Sequence, residues 1–200
     1  MPVLFAALLL VASASSAAAA SGDLDETFSG DGKKTTDIGA GSDAADDVAI
    51  QPNGRIVAVG RSAGDYALAR YRSGGALDGS FGGDGKVTAE FGEYEGAEAV
   101  AIQADGKMVV VGSAGEVDAA IVRFGADGTP DSSFGGDGQV VFDTGKEESL
   151  HGVALQPNGR IVAAGRLGGN FLVARFNPNG TPDATFSGNG WATAKLRRLR

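Results

Sequence analysis

Carboxylates recur at fixed places in this chain and raise the first chemical question. Asp31, Asp84 and Asp137 each stand between two glycines, and Asp25, Asp78 and Asp131 precede them by six residues. Asp183 holds the same place in a last copy, where Asn189 replaces the later aspartate. Oxygen donors gathered in glycine-rich loops suit a hard cation such as calcium. The spacing argues the other way: an EF-hand needs alternating Asp-x-Asp-x-Asp-Gly ligands, and the nonapeptide calcium repeat needs an aspartate where Val87 and Val140 stand. Aspartate before glycine is a turn residue first, because its side chain bonds the local backbone. Turn formation is thus the expected role of Asp31, Asp84 and Asp137. Calcium on these residues or on Asp78 and Asp131 is the weaker alternative, and no other cofactor is expected.

A guanidinium repeats as well. Arg70, Arg123 and Arg175 could offer forks to an anionic ligand, or each could pair with an aspartate of its own or a neighbouring repeat. Structural pairing is the expected role, although an exposed pair would contribute only about 0–1 kcal/mol. His151 is the only histidine, and its equivalents in the other copies are Asp46 and Glu98, which marks a polar, solvent-facing place before a strand. One histidine, no cysteine and no repeated serine partner leave a His-based metal cluster and a hydrolase triad without support. Catalysis normally gathers unlike groups in one asymmetric cluster, whereas here like residues are distributed three times over. No catalytic residue is expected.

These residues are positioned by a repeat. Thr27-Phe28-Ser29-Gly30-Asp31-Gly32 returns as Ser80-Phe81-Gly82-Gly83-Asp84-Gly85, Ser133-Phe134-Gly135-Gly136-Asp137-Gly138 and Thr185-Phe186-Ser187-Gly188-Asn189-Gly190. With the phenylalanines as ruler, 81 minus 28 and 134 minus 81 each give 53, and 186 minus 134 gives 52. A second ruler keeps step: Gln51-Pro52-Asn53-Gly54-Arg55-Ile56-Val57, Gln103-Ala104-Asp105-Gly106-Lys107-Met108-Val109 and Gln156-Pro157-Asn158-Gly159-Arg160-Ile161-Val162. Phe28, Phe81, Phe134 and Phe186 are expected to anchor the crossover from one unit to the next.

Within the second copy, runs over residues 86–91, 99–103, 107–112 and 119–124 are β-branched or alternating and bounded by Gly, Asp or Asn, which predicts four strands. Asn-Gly and Asp-Gly tolerate the positive φ of the hairpin that joins the second strand to the third. The last strand is apolar on both faces, with Tyr66 and Leu68 opposite Ala67, Ala69 and Tyr71. Short antiparallel strands covered on both sides, repeating at about fifty residues, predict β-propeller blades. The expected architecture is all-β, with three four-stranded antiparallel blades plus the first strand of a fourth in an open or incomplete ring. The repeats run about 28–80, 81–133 and 134–185, with a partial copy at 186–194.

Three motifs in register carry a resemblance to a family: residues 76–87, residues 98–112 and Ala67-Leu68-Ala69-Arg70-Tyr71. They resemble the delta-60 repeat, a bacterial β-propeller repeat of largely unknown function, over about residues 23–194. The resemblance implies tandem repeats in exported or surface proteins and brings no established catalytic residue. Propellers close with four to eight blades. Three blades and a strand therefore imply either part of a longer array or a ring completed by further chains.

The ends add compartment and partner. Residues 1–22 carry no charged side chain, run apolar from Val3 to Val11 and turn small through Ala20. That outline predicts a signal peptide over residues 1–20, although the segment has no Lys or Arg; an uncleaved membrane anchor is the alternative. Absence of cysteine excludes disulfides and thiolate sites and fits a periplasmic, surface or secreted protein. Thirty-three glycines among 200 residues with only six prolines fit many tight turns. Lys195, Arg197, Arg198 and Arg200 make a divergent basic tail over 195–200, and taking these four charges from a net of −8 leaves about −12. An acidic body repels phosphate backbones, which excludes nucleic acid as a partner. The expected function is a non-enzymatic binding or scaffolding surface for a protein or envelope polymer, with self-association a further possibility. The alternatives are a truncated piece of a longer array and, less favoured, a propeller enzyme such as a quinone-dependent dehydrogenase.

Overall fold

A computed structural model describes residues 22–90 and 96–195, so the signal peptide expected over 1–20, residues 91–95 and the expected basic tail beyond Lys195 lie outside the described residues. Every regular element described is a strand. They are β1 (Asp43–Ile50), β2 (Ile56–Ser62), β3 (Asp65–Tyr71), β4 (Lys86–Ala89), β5 (Gly96–Ile102), β6 (Met108–Ala114), β7 (Asp118–Phe124), β8 (Gln139–Phe142), β9 (Glu148–Leu155), β10 (Ile161–Leu167), β11 (Asn170–Phe176) and β12 (Trp191–Ala194). Among the described residues no helix is long and apolar enough to cross a membrane.

The strands form three four-stranded antiparallel sheets in the orders β1-β2-β3-β4, β5-β6-β7-β8 and β9-β10-β11-β12. The all-β blade architecture expected from the sequence is present, with no sheet closed on itself. The pairing also sets the phase of the blades. The strand after each Phe-containing motif pairs with the strand before it: Lys86↔Ala69, Gln139↔Val122 and Trp191↔Ala174. It is therefore the fourth strand of the preceding blade and not, as the sequence predicts, the first of the next. Trp191–Ala194 accordingly completes the third sheet. The copy at the other end, residues 27–38, holds a motif with no four-stranded sheet of its own.

Burial between sheets makes two cores. Val57, Val59, Tyr66, Leu68 and Phe81 of the first blade meet Val100, Met108, Val110, Val122 and Phe124 of the second. Val109, Val111, Ile121, Phe134 and Phe142 on the second blade's other face meet Leu150, Ile161, Leu172 and Phe176 of the third. Strand β7, buried on both faces from Ala119 to Phe124, is covered as the sequence predicts. Strand β11 differs: Phe171 is 48% exposed, and among the described residues no further blade covers that face.

Each first strand enters its ladder through a bulge, and the residue left out of the pairing is Asp46, Glu98 and His151 in turn. A bulge leaves one residue unpaired and bends the strand. Opposite it lie Gly60, Gly112 and Gly165, where any Cβ would collide with a backbone carbonyl of the facing strand. The polar position seen in sequence is therefore the bulge itself.

Candidate functional site

The repeated arginines and aspartates assemble into one clamp per blade. In the first blade, β3 carries Arg70 and the loop between β3 and β4 carries Asp78. Arg70 Nε donates to Asp78 Oδ2 at 2.9 Å, and Arg55, just past the β1–β2 turn, reaches the same oxygen at 2.9 Å. Asp78 Oδ1 accepts from the Ser80 hydroxyl at 2.9 Å and from the Ser80 N–H at 3.3 Å. An ionised carboxylate offers about four acceptor sites, and these four donors fill them. The guanidinium carbon lies 4.7 Å from the Phe81 ring centre, within cation–π range.

The second and third blades repeat this. Asp131 Oδ2 accepts from Arg123 Nε at 2.7 Å and Lys107 Nζ at 2.8 Å; Asp183 Oδ2 accepts from Arg175 Nε at 2.7 Å and Arg160 Nε at 3.0 Å. Ser133 and Thr185 bond the other oxygens at 2.7 Å. Hydrogen bonds from Lys107 and Ser133 hold the Asp131 carboxyl well below the usual carboxylate range. For Asp78 burial acts to raise the pKa, but the Ser80 bonds and the two guanidinium charges outweigh it and the net shift is downward. Asp183 is lowered chiefly by Thr185. The second cation of each clamp, Arg55, Lys107 or Arg160, was missed in the sequence. Its signal was present, since a basic residue follows the Asn-Gly or Asp-Gly of each β1–β2-type turn.

The clamps also join blades. Arg70 Nη1 donates to the carbonyl of Ala126, and Arg123 Nη1 to that of Pro178 at 2.6 Å, each in the following blade. Gly82 and Gly135 donate N–H groups to the Asp127 and Asn179 carbonyls of the same turns. Phe81 and Phe134 are fully buried and lie directly under Gly128 and Gly180. The terminal copies have less cover: Phe28 and Phe186 are half-buried. Among the described residues Arg175 Nη1 has no turn carbonyl to meet, and the Arg175 side chain is 19% exposed against 3% for Arg70.

The aspartates read as calcium candidates sit in these turns and clamps. Asp31, Asp84 and Asp137 each accept the N–H two residues on, from Lys33, Lys86 and Gln139. Asp78 and Asp131 hold two cations apiece. His151 lies exposed in its bulge, with Nδ1 3.6 Å from Glu98 Oε2 of the neighbouring blade. A different acidic group, absent from the sequence reading, comes together at the other end of the sheets: Asp118, Asp143 and Glu148 bring carboxylate oxygens within 4.8 Å of one another.

The two ends of the sheets differ in kind. The β1–β2 turns and β3–β4 loops share the clamp end, tied by Arg55–Asp78 and its copies. The β2–β3 turns and blade-to-blade connections share the opposite end, where Gly168 N–H bonds Glu147 and Glu148 N–H bonds Val117. Sequence variation between copies falls on that second end, over residues 39–45 and 145–150.

A beta-propeller family model described as a domain of unknown function, DUF5122, matches residues 51–81, 103–134 and 156–186. Each matched segment starts at the glutamine of a β1–β2-type turn and stops at the phenylalanine under the arginine, so all residues of a clamp fall inside it. No curated protein matches the chain.

Proposed function

We propose that this chain, a DUF5122 beta-propeller repeat protein, acts as an exported, non-enzymatic binding or scaffolding module that meets its partner through its variable loop end. What supports this most is the saturation of the repeated polar residues. In all three blades the aspartate, the arginine and the second cation are consumed by one another, which leaves none of these three repeated groups free for acid–base or nucleophilic work. The loops over 39–45 and 145–150 carry the differences between copies, and rigid blades holding divergent loops are the usual arrangement of a binding surface. The charge-free leader supports export, and the acidic body argues for a partner that is a protein or envelope polymer instead of nucleic acid. The test is cosedimentation of the purified chain with isolated envelope polymer. Saturable binding that is lost when residues 145–147 are replaced by Gly-Ser-Gly, with the melting curve unchanged, is the expected result. Binding that survives the replacement, or substrate turnover by the purified chain, overturns the reading.

A second feature favours self-association. Val48 and Ile50 are 59% and 71% exposed on the first blade, where the second blade holds Val100 at 8%. Phe171 is 48% exposed on the third blade, where the second holds fully buried Ala119. These two faces are opposite halves of the interface that already joins blades 1 to 2 and 2 to 3, so a second copy of the chain offers each face its complement. Ser29 N–H already bonds Gly74 O on the first blade, so the partner's Phe186 motif must compete with the chain's own Phe28 motif there. Light scattering should find a dimer or larger ring that Ile50→Asp or Phe171→Asp returns to monomer; a monomer at every concentration rejects the pairing.

A further inference from the structure

The junction of the second and third blades collects three carboxylates that are not paired with a cation among the described residues. Asp118 opens β7, Asp143 follows β8 and Glu148 opens β9, so two elements of one blade and the first strand of the next bring the three carboxylates together. Glu148 is 4% exposed. Its Oε1 accepts from the Thr144 N–H at 3.1 Å and from the Thr144 hydroxyl, whereas its Oε2 is buried with no hydrogen-bond partner. Asp143 Oδ1 accepts from Gly145 N–H at 2.6 Å. Among the described residues no Lys or Arg pairs with any of the three. The other two buried carboxylates among the described residues, Asp78 and Asp183, each have two cations beside them. An ionised carboxylate buried without a partner is unfavourable unless a cation neutralises it.

We propose that Asp118, Asp143 and Glu148 form a calcium site that ties the second blade to the third. The donors are all hard oxygens. Calcium holds such oxygens at about 2.3–2.6 Å in six- to eight-fold coordination, so two ligands of one ion stand at most about 5 Å apart. The three carboxylate oxygens lie within 4.8 Å of one another and meet that limit. Magnesium demands a near-ideal octahedron at about 2.0–2.1 Å and gives up its waters reluctantly, so three side chains brought together from three elements suit it less. Glu148 closes one side of the site, while Asp143 is exposed and leaves the other open to the waters that complete the shell. Asp65 and Glu90 stand 53 residues before Asp118 and Asp143, so two of the donors recur in sequence with the blade period. Asn170 stands at the Asp118 position of the third blade, which removes one carboxylate from its far side.

The test uses the purified chain and calcium alone, by titration calorimetry and by thermal melting in chelator against calcium. The expected dissociation constant is about 10⁻⁴–10⁻³ M, the range of extracellular modules. Calcium at ten times that constant should multiply the folding equilibrium about elevenfold. Glu148→Gln keeps an acceptor for Thr144 and removes the buried charge. It should weaken calcium binding at least tenfold and raise the calcium-free midpoint. Asp118→Asn should weaken binding likewise, and Asp137→Asn, in a turn at the clamp end, should leave it unchanged. If Glu148→Gln does not fold, Asp143→Asn on its exposed side chain reads the same site. A wild-type melt identical with and without calcium, an equal response to magnesium, or full calcium binding by Glu148→Gln or its substitute Asp143→Asn overturns the proposal.

Discussion

Arg123 Nη1 reaches across a blade boundary to the carbonyl oxygen of Pro178 at 2.6 Å while its Nε holds Asp131 of its own blade. One side chain thereby fixes a loop within a blade and the position of the next blade. Removing one partner of a buried pair leaves the other charge unmatched and costs about 3–5 kcal/mol. Arg123→Ala should destabilise by that amount in denaturant melts. Arg175→Ala should cost less than half as much, because its Nη1 bond to a following blade has no counterpart among the described residues and its side chain is more exposed. Equal costs at the two positions would show that the inter-blade bond adds nothing.

Phe81 lies fully buried beneath Arg70 and Gly128, so Phe81→Ala should destabilise by about 3–5 kcal/mol through lost burial and the cavity left behind. Phe28→Ala and Phe186→Ala, at half-buried rings, should each cost clearly less. A midpoint shift for Phe81→Ala worth under about 1 kcal/mol would contradict the burial.

Gly128 and Gly136 separate strain from collision. Both have positive φ, +92° and +108°, but a Cβ on Gly128 would lie 2.8 Å from Phe81 Cε2 and 2.7 Å from Val87 Cγ2, whereas one on Gly136 meets nothing within 4 Å. Gly136→Ala should cost about 1–2 kcal/mol from the left-handed backbone alone. Gly128→Ala should cost more by forcing two blades apart, and chemical denaturation of the pair would measure the difference.

Acid should loosen the blades together. Asp78, Asp131 and Asp183 all have pKa values lowered in the folded chain. A lowered folded value means the stability is fully present above the unfolded value near 3.8 and drains away as pH falls below it toward the folded values. Melting midpoints should thus be flat with respect to these groups above about pH 5 and fall steeply below about pH 4. Asp131→Asn should flatten part of that fall, and a variant with an unchanged acid limb would rule Asp131 out as a contributor.

The fold was largely legible in the sequence because phenylalanine and turn motifs repeat with the chain's own period, and strands bounded by Asn-Gly and Asp-Gly turns leave few alternatives. The phase of the blades was harder to read. Residues 86–89 could pair forwards or backwards, and only the register Lys86↔Ala69 decides it. The clamp was half visible: arginine and aspartate recur eight residues apart, as in Arg70 and Asp78. The second cation comes from a different turn, and no local pattern links Arg55 to Asp78. The Asp118, Asp143 and Glu148 group was invisible for the same reason, being assembled from two hairpin ends and a connection that meet only across a blade boundary.

Because the fourth strand of each blade lies beyond the phenylalanine motif, the unit that repeats in sequence and the unit that folds are out of step by one strand. A stretch counted from one phenylalanine to the next contributes the outer edge of one sheet and the inner three strands of another. Excising or duplicating such a stretch rejoins an edge to a blade that lacks one, whichever copy is cut. The chain can therefore lengthen or shorten by unequal recombination between its own repeats without passing through a product that has a broken sheet.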